Sequence, residues 1–558
     1  MTTTLKNTLL FFLLTIGCSL QAAEKPQKAA IASAHFMATE AGHRILAQGG
    51  NAFDAAIAVS STLAVVEQHS SGIGGGAFWL LHRASDGKNV MIDGREMAPS
   101  KAHKDMYLDE KGEVNRDLAL HGPLSAAIPG EIAGLDHLAQ HYGKLPLSAS
   151  LQPAIEAAEN GFPAYARIIR HIERKKKILQ RYPASMAIYL PNGKVPEVGD
   201  LIIQKDLAKT LKAVAKKGRK GFYEGKVAKK LVKANNADGG IWTLEDLKNY
   251  KVLEREPIYS EYNGKKLITA SPPSSGGIAI ATILNILSAW DLNSMDVSKR
   301  VHLIAEAMRR AYRDRSIYLG DSDYVDIPSK LLTHPYYAEG LRASISEIQA
   351  TPSAILPGIG ESPKGTDTTH FSIIDTEGNM VSATLTVNTG LASGFIAAGT
   401  GVLLNNEMDD FSAKPGEPNA YGLVGDQANA IEPGKRPLSS MSPTIVIGDD
   451  EVAVLGTPGG SRIITMVLLG ILDFDAGNPP ASWVALPRFH HQYLPDKIYA
   501  EKDAFTPEMI AALEKLGHTV QVHNGKWGNM HAVHWDKKTG TVQAASDPRN
   551  PMAKAEVK

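Results

Sequence analysis

The clearest candidate for a nucleophile is Thr368, within the octet Gly-Thr-Asp-Thr-Thr-His-Phe-Ser at residues 365–372. If the backbone is cut between Asp367 and Thr368, the new chain end carries a hydroxyl group and a free α-amine on one residue. A threonine hydroxyl attacks poorly unless a neighbouring base takes its proton, and an α-amine with a pKa of ~7.7–8.0 is such a base. Taken alone, the octet favours an ordinary loop that enters a strand.

Turns later in the chain carry polar and glycine residues from which a site for this chemistry could be built. They are Thr386 and Asn388 in Thr-Val-Asn-Thr, Glu407 and Asp410 in Asn-Asn-Glu-Met-Asp-Asp-Phe, Ser439 and Ser440 in Arg-Pro-Leu-Ser-Ser-Met-Ser-Pro, and Gly459 and Gly460 in Gly-Thr-Pro-Gly-Gly-Ser-Arg. Arg95 follows an earlier apolar run, where its guanidinium could project into a pocket or form an exposed salt bridge. Each of these residues, taken singly, also fits an ordinary turn or cap.

The elements that must position these residues change in character at Thr368. Before it, helical periodicity predominates, and a glycine cluster at residues 72–76 predicts a tight turn into a buried strand. Residues 331–367 are poor in apolar residues and predict an exposed linker. The predicted helical regions are residues 38–66 with a break at 49–51, 130–182 with a break at 161–163, 203–249, 278–290 and 302–319.

After Thr368 the sequence favours strands. Residues 369–375 and 380–387 alternate around a turn at 377–379 and predict a hairpin. Short strands are predicted at residues 402–404 and 444–447, and helices at 462–472 and 507–516. A strand-rich centre flanked by helices indicates helices that cover a layered sheet.

Composition excludes some functions. The 59 basic residues balance the 59 acidic ones, so there is no global electrostatic argument for nucleic acid or an anionic membrane surface as a partner. The densest basic run, residues 167–177, has apolar residues at helical spacing. It predicts a solvated helix face rather than a nucleic-acid patch.

Residues 1–23 predict a secretory signal peptide, with Lys6 before a short apolar core at 9–16 and small residues near the end. This core is shorter than the ~20 residues that a membrane-spanning helix needs, and no later stretch predicts such a helix. The only cysteine, Cys18, lies within the segment, where a weak lipoprotein cleavage box is the alternative. We therefore expect a periplasmic or secreted protein whose mature chain has neither disulfides nor thiol catalysis.

Together and in this order, the motifs resemble the γ-glutamyltranspeptidases, which are N-terminal-nucleophile hydrolases. The resemblance covers the mature chain, from the glycine turns at residues 49–51 and 74–76 through residues 95–99 and 272–277 to residues 487–491 and 546–549. It implies an α+β fold, a four-layer αββα sandwich made by two autoprocessed subunits. These are residues 24–367, the large subunit, and residues 368–558, the small subunit with the N-terminal threonine.

The resemblance also implies an activity, the transfer of γ-glutamyl groups from glutathione and related compounds to water, an amino acid or a peptide through a γ-glutamyl-threonine ester. Thr368 is then the nucleophile, Thr386 orients it, and the backbone amides of Gly459 and Gly460 form the oxyanion hole. The implied ligands of the donor are Arg95, Ser439 and Ser440 for its α-carboxylate, and Asn388, Glu407 and Asp410 for its α-ammonium.

Residues 415–430 match the lid loop that covers the donor pocket in some members, with Tyr421 as the covering aromatic residue. A lid favours small donors such as glutathione over polymers. Leu391 stands where relatives commonly have an aromatic residue, which puts the pocket wall expected to meet Tyr421 in question. The His490-His491 pair could suggest a metal, but adjacent strand residues point to opposite faces, so we expect no metal and no cofactor.

Two alternatives remain at this point. A cephalosporin-acylase-type amidohydrolase on the same fold would take glutaryl groups, which lack the α-ammonium that Glu407 and Asp410 suit. A non-catalytic periplasmic protein that binds glutathione-like ligands would leave a cut before Thr368 unexplained.

Overall fold

Two antiparallel sheets are stacked at the centre of the computed structural model, which describes residues 25–356, 368–414 and 416–558. Helices cover the outer face of each sheet. The predicted signal peptide with Cys18, and Asp367 at the predicted cleavage point, lie outside the described residues.

The strands vary from two to eight residues. They are β1 Ala30–Ser33, β2 Gly76–Arg83, β3 Lys88–Gly94, β4 Phe162–Pro163, β5 Leu201–Ile202, β6 Leu253–Arg255, β7 Ile258–Tyr262, β8 Lys265–Thr269, β9 Thr369–Ile374, β10 Met380–Thr386, β11 Ile396–Ala397, β12 Val402–Leu403, β13 Thr444–Ile447, β14 Glu451–Gly456, β15 Phe489–His490, β16 Ile498–Glu501, β17 Val520–His523, β18 His531–Asp536, β19 Val542–Ser546 and β20 Lys554–Val557.

The α-helices are α1 Phe36–Ala47, α2 Ala52–Val66, α3 Arg116–Leu120, α4 Glu131–His141, α5 Leu147–Asn160, α6 Ala166–Leu179, α7 Pro183–Tyr189, α8 Lys205–Lys217, α9 Lys220–Tyr223, α10 Gly225–Ala237, α11 Leu244–Asn249, α12 Gly276–Leu287, α13 Val297–Tyr318, α14 Ser329–Leu332, α15 Pro335–Arg342, α16 Ile463–Asp475, α17 Pro480–Ala485 and α18 Pro507–Lys515. Single 3₁₀ turns are formed by Pro123–Ser125, Pro191–Gly193, Ser353–Ile355, Glu407–Asp410, Gln427–Asn429 and Gly460–Arg462.

The first sheet has seven strands in the order β20-β1-β9-β10-β2-β3-β6, and the second has six in the order β19-β18-β14-β13-β8-β7. Strand β1, from the start of the chain, lies between β20 and β9, which both come after residue 367. The predicted hairpin at residues 369–387 is confirmed as β9 and β10, with Thr369 paired to Leu385.

The side chains of β2 explain the layers. Phe78 and Leu80 belong to the core shared with the second sheet, whereas Ala77, Trp79 and Leu81 belong to the core shared with α2, α4 and α5. Because successive strand residues point to opposite faces, this strand is apolar on both sides. Every residue of β9 and β10 is likewise buried, so the first sheet is covered on both faces. The expected four-layer αββα arrangement is confirmed.

Helix α2 carries small and apolar residues on every side, as is typical of a buried helix, and all fifteen of its residues are buried. Asn51 begins it with a capping box, in which its side chain accepts from the amide of Asp54 and the Asp54 carboxylate accepts from the amide of Asn51. No helix within the described ranges combines the length and apolar character needed to cross a membrane.

Residues 331–356 are mostly exposed, as predicted, but the prediction that they form a linker without regular structure is wrong. Helix α15 occupies Pro335–Arg342, with Pro335 in its first turn and the His334 side chain as its cap, and Ser353–Ile355 forms a 3₁₀ turn. Ala338 is fully buried in the core that α15 shares with α12. A helix of eight residues with one fully buried apolar side chain has too weak a periodicity to be recognised from sequence. Residues 357–367 lie outside the described part.

Candidate active site

One pocket at the open end of the β9–β10 hairpin brings together ten of the eleven described residues that the sequence singled out. They are Arg95, Thr368, Thr386, Asn388, Glu407, Asp410, Tyr421, Ser439, Ser440 and Gly460. Gly459 lines an adjoining cleft instead. Sequence reasoning missed the apolar part of the lining, formed by Leu423, Leu438, Met441 and Ile463.

Thr368 and Thr386 stand at the same end of the hairpin, because the register pairs Thr369 with Leu385. Thr368 is only 4% exposed. The Thr386 hydroxyl accepts a hydrogen bond from the backbone amide of Asn388 at 2.7 Å. The predicted glycine turn packs against this strand end, since a β-carbon on Gly75 would lie 2.0 Å from the Thr386 carbonyl oxygen.

Arg95 follows β3 and projects into the pocket, where only 1% of it is exposed. Its Nη2 donates to Asp410 Oδ2 at 2.6 Å, its Nη1 donates to Glu407, and its Nη1 lies 3.4 Å from Glu96 Oε2. Burial acts to lower the pKa of Arg95, but the three carboxylates outweigh it and the pKa is raised. Of the two sequence interpretations, the structure supports the pocket and excludes the exposed salt bridge.

The acidic side of the pocket contains buried acceptor atoms that a ligand could use. Burial raises the pKa of Glu407 and of Asp410, and Arg95 opposes both shifts. Among the described residues, neither Glu407 Oε2 nor Asn388 Oδ1 has a hydrogen-bond partner, although both atoms are buried. A buried acceptor without a partner is costly. A cationic ligand with several N–H groups would satisfy these acceptors.

Ser439 and Ser440 are held by the turn that precedes α12. The Ser439 amide donates to the Pro273 carbonyl, and the Ser275 amide donates to the Ser439 carbonyl, both at 2.8 Å. The Ser439 hydroxyl accepts from the amide of Met441 at 3.1 Å. Two segments far apart in sequence therefore place these hydroxyls in the pocket.

Arg315 is a neighbour of the site to which the sequence interpretation gave no role. It extends from α13, is 5% exposed, and donates to the hydroxyls of Ser440 at 3.3 Å and Ser275 at 3.0 Å. Burial lowers the pKa of Arg315 to about 10, so it remains charged at neutral pH. Its position in an otherwise ordinary helix gave no local signal of this contact.

Gly459 and Gly460 lie between β14 and α16. Their φ angles are +144° and +59°, values that residues with a β-carbon rarely adopt. The short 3₁₀ turn Gly460–Arg462 leads directly into α16. Backbone amides at such a helix start favour negative charge.

The loop with Tyr421 contributes to the pocket lining and is fastened to the acidic turn. The Tyr421 hydroxyl donates to the Asn388 carbonyl, and its amide donates to Asn419 Oδ1 at 2.9 Å. Asn419 Nδ2 donates to Asp410 Oδ1 at 3.2 Å, and the Ala420 amide donates to Asp409 Oδ2 at 2.9 Å. The lid position therefore depends on the same turn that carries Glu407 and Asp410.

Leu391 does not form the pocket wall that was in question. It is fully buried in the core with α2 and α5, at a φ of +54°, and its amide donates to the His69 carbonyl at 3.3 Å. Leu391 therefore does not decide the contacts of the wall expected to meet Tyr421, because the backbone turns its side chain inward.

The His490-His491 pair has protein partners. His490 contacts Thr465 Oγ1 at 3.0 Å and Gln492 Oε1 at 2.8 Å, and His491 Nδ1 accepts from the Tyr493 amide at 3.1 Å. These bonds agree with a structural role for both histidines.

One other group in the described ranges, His302, Glu306 and His518, has its ligand atoms close enough to hold a metal. Both ring nitrogens of His302 are already used, with His518 Nε2 and the Ser346 carbonyl each at 2.7 Å. The Glu306 carboxylate accepts from Arg310 at 2.7 Å and from the Thr351 amide at 3.0 Å. A hydrogen-bond network within the protein accounts for this group.

Known proteins resemble this chain over most of its length. The family model for gamma-glutamyltranspeptidase matches residues 38–557. The chain is 42% identical over 526 residues to the glutathione hydrolase proenzyme of Escherichia coli (strain K12), which covers 93% of this chain and 90% of that protein. It is also 42% identical over 567 residues to the glutathione hydrolase proenzyme of Pseudomonas aeruginosa, covering 97% and 98% of the two chains.

Solved structures with a similar fold include two informative neighbours. The cephalosporin acylase from Bacillus halodurans superposes with a TM-score of 0.83 at 26% identity, over 98% of this chain and 99% of that chain. The Helicobacter pylori gamma-glutamyltranspeptidase superposes with a TM-score of 0.57 at 41% identity, over 58% of this chain and 94% of that chain.

Proposed function

The chain belongs to the γ-glutamyltranspeptidase family, and we propose from this premise that Thr368 is the nucleophile with which it cleaves γ-glutamyl amides. The enzyme is an autoprocessing γ-glutamyltransferase and hydrolase of the N-terminal-nucleophile type. We further propose glutathione and compounds of similar size as donors, and water, amino acids or short peptides as acceptors.

The observation that carries the proposal is the arrangement of opposite charges beside Thr368. A γ-glutamyl group presents an α-carboxylate and an α-ammonium, both remote from the amide to be cleaved. The Arg95 fork and the hydroxyls of Ser439 and Ser440 suit the carboxylate. Asp410 and the spare buried acceptors on Glu407 and Asn388 suit the ammonium.

In the structure Arg95 and Asp410 pair with each other. A zwitterion that enters between them offers each a partner of the opposite sign, so neither buried charge is left uncompensated. A glutaryl group carries the carboxylate alone and would leave the acidic side unmatched. This charge argument favours γ-glutamyl donors over the glutaryl donors of an acylase, although a cephalosporin acylase shares the fold.

Maturation and catalysis use the same hydroxyl in this proposal. Thr368 Oγ attacks the carbonyl carbon of Asp367, the peptide C–N bond breaks, and an ester forms as the α-amine of Thr368 is released. Water then hydrolyses the ester, which frees the Asp367 carboxylate and regenerates the Thr368 hydroxyl. Residues 24–367 and residues 368–558 remain associated as the large and small subunits. The proenzyme names of the relatives support this step.

During turnover the free α-amine of Thr368 takes the hydroxyl proton while Oγ attacks the γ-carbonyl of the donor. Thr386 orients the nucleophile, and the amides of Gly459 and Gly460 stabilise the tetrahedral oxyanion. Loss of one such donor typically costs ~3–4 kcal/mol of transition-state stabilisation. The proton passes to the departing amine, and water or an amine then attacks the ester.

Two further parts of the proposal concern the lid loop and the predicted signal peptide. Tyr421 closes the pocket over the donor, which supports small donors rather than polymers. Residues 1–23 are proposed as a cleaved signal peptide, so the mature enzyme would act in the periplasm or outside the cell.

The test compares wild-type protein with Thr368→Ala and Thr368→Ser on a denaturing gel and in assays with γ-glutamyl and glutaryl anilides. We expect two fragments from the wild type and one uncut, inactive chain from Thr368→Ala. Thr368→Ser, which keeps a hydroxyl, should cut itself and retain part of the activity. Normal processing of Thr368→Ala, or a wild type that prefers the glutaryl anilide, would overturn the proposal.

A further inference from the structure

Thr369, the residue after the proposed nucleophile, has a buried hydrogen-bond partner that precedes it by 302 residues in the chain. Its hydroxyl donates to Glu67 Oε2 at 2.6 Å. Thr369 is fully buried and Glu67 is only 2% exposed. The distance is in the range of a hydrogen bond from a hydroxyl to a carboxylate ion, and burial keeps water from competing for it. The sequence interpretation gave neither side chain a role.

The sheet supports Thr369 from one side only. Thr369 pairs with Leu385 of β10. The ladder between β9 and β1 ends two residues later in β9, where Phe371 pairs with Ser33. The bond to Glu67 therefore adds a contact at the end of β9 where one of the two neighbouring ladders has stopped.

Glu67 is itself fixed at the end of α2. It follows the last residue of this fully buried helix, and its amide donates to the Leu63 carbonyl at 2.8 Å. Its carbonyl accepts from the amides of Ser70 at 2.8 Å and Ser71 at 3.1 Å. On the other carboxylate oxygen, Glu67 Oε1 lies 3.7 Å from Nε2 of the fully buried His69. A tight turn within the core therefore holds the carboxylate in place.

The chain that leaves this turn also contacts the second threonine of the site. Gly75 packs against the end of β10, since a β-carbon on it would lie 2.0 Å from the Thr386 carbonyl oxygen. Residues 67–76 thus contact both the strand end next to Thr368 and the strand end that carries Thr386. The conformation of this one segment affects how the two threonines are placed relative to each other.

A cut before Thr368 would make the support of Thr369 more important. In the intact chain Thr368 is held by peptide bonds to both Asp367 and Thr369. After the cut, the bond to Thr369 is its only covalent tether, so a displacement of Thr369 is passed directly to the nucleophile. A misplacement of ~1 Å can lower the rate of a reaction by ~100-fold.

We propose that Glu67 is a positioning residue for Thr368, acting through the Thr369 hydroxyl in self-cleavage and in turnover. The inference rests on the proposed function. In this role Glu67 contacts neither the donor nor the reacting atoms. The charged groups proposed to hold the donor head, among them Arg95 and Asp410, belong to other segments. Loss of the bond between Glu67 and Thr369 should therefore slow the steps at Thr368 without weakening the binding of the head.

The experiment removes each partner of this bond in turn. Thr369→Val deletes the hydroxyl and Glu67→Met deletes the acceptor, both with little change in volume, and a double variant combines them. Thr369→Ser keeps a hydroxyl and tests for rescue. Asp54→Asn is the matched control, because Asp54 is a fully buried carboxylate at the other end of α2, ~20 Å from Glu67 along the helix.

The measurements are the rate of self-cleavage on a denaturing gel, the melting temperature, and two kinetic constants of the purified two-subunit enzyme. These constants are kcat for γ-glutamyl-4-nitroanilide, per amount of cut enzyme, and the inhibition constant of glutamate. Glutamate reports binding of the head alone, because it carries the same α-carboxylate and α-ammonium. A change in kcat at a constant inhibition constant separates positioning of the nucleophile from damage to the pocket.

We expect Thr369→Val and Glu67→Met each to slow self-cleavage and to lower kcat about tenfold, with the inhibition constant within about twofold of the wild-type value. The double variant should lose no more than the weaker single variant, because both changes remove the same bond. Thr369→Ser should stay near the wild type. Asp54→Asn should lower the melting temperature and leave kcat unchanged.

Wild-type rates in both single variants, or losses that add up in the double variant, would overturn the inference. A variant that melts like the wild type but stays uncut would support it, since self-cleavage uses the same hydroxyl. Failure of the proposed function is a separate result, because it would appear as the absence of Thr368-dependent anilide cleavage in the protein with Glu67 and Thr369 unchanged.

Discussion

The ring of Tyr421 lies directly against Gly460, so closely that a β-carbon on the glycine would stand 2.1 Å from Cδ1 and 2.4 Å from Cε1 of the tyrosine. One of these residues belongs to the lid and the other to the proposed oxyanion hole. The closed lid therefore requires a residue without a side chain at position 460. In the proposed mechanism, closure over the donor and stabilisation of the oxyanion would therefore depend on the same contact.

Gly460→Ala should lower kcat/KM for γ-glutamyl anilide by about a hundredfold, because it displaces both the lid and an oxyanion donor. Gly477→Ala is the matched control, since Gly477 also has a positive φ, +81°, but nothing lies within 4 Å of its added β-carbon. Steady-state kinetics and thermal melts of both variants separate a loss of activity from a loss of stability. Equal losses in the two variants would show that backbone strain, not the contact with Tyr421, is responsible.

Arg95→Gln should reduce kcat/KM for the γ-glutamyl donor about a hundredfold, equivalent to about 3 kcal/mol of transition-state stabilisation, because the donor α-carboxylate loses its charged partner. Arg83→Gln is the control, as Arg83 pairs with Asp86 in an exposed i,i+3 salt bridge that contributes little. A gel of each variant shows whether the chain still cuts itself. An unchanged kcat/KM in fully processed Arg95→Gln would mean that the donor carboxylate is held elsewhere.

Asp410→Asn should change donor preference as well as rate. The α-ammonium of a γ-glutamyl donor loses a charged partner, whereas a glutaryl donor has no ammonium to lose. We expect the ratio of γ-glutamyl to glutaryl kcat/KM to fall by about tenfold or more. Asp449→Asn, at an exposed position, should leave the ratio as in the wild type. An equal fall in kcat/KM for both donors would show that Asp410 acts only by positioning Arg95.

The local features of this site could be predicted from sequence, because short patterns determine them. The hairpin that begins after Thr368 follows from alternation and a turn, and the place of Arg95 follows from the end of an apolar strand. The long-range pairing could not be predicted in the same way. Arg95 and Asp410 are 315 residues apart, and the sequence assigned them separately to the two charges of a donor without indicating that they contact each other.

The positions of two other residues could not be predicted from the sequence, again for physical reasons. Arg315 reaches Ser440 from α13. The residue type alone does not distinguish a buried arginine from an exposed one. Leu391 was assigned to the pocket wall from its place in the chain, but a positive φ turns it into the core. Conformations of this kind are uncommon for leucine and have no sequence signature.

Acid should destabilise the fold through its buried histidines. His531 is fully buried, and burial lowers its pKa to about 3, below the ~6.5 of an unfolded chain. The unfolded state therefore binds a proton first as the pH falls, so this histidine makes the free energy of unfolding decrease between pH ~6.5 and ~3. Between pH ~6.5 and ~5 the contribution is about 2 kcal/mol.

His531→Gln should reduce this pH dependence, whereas His103→Gln, at an exposed position, should leave it unchanged. Urea unfolding in a Thr368→Ala background, where the chain is expected to stay in one piece, measures the free energy at each pH. An identical pH dependence in all three proteins would contradict the assignment of this effect to His531.

The position of β1 bears on what becomes of the protein after a cut before Thr368. This strand is bonded to β9 on one side and to β20 on the other, so the first strand of one fragment is clamped between the first and last strands of the other. Two further ladders, β2 with β10 and β8 with β13, also join residues on either side of the cut, so neither fragment could leave without breaking both central sheets. The cut protein would thus unfold as a single cooperative unit, because each fragment supplies strands to sheets that it shares with the other.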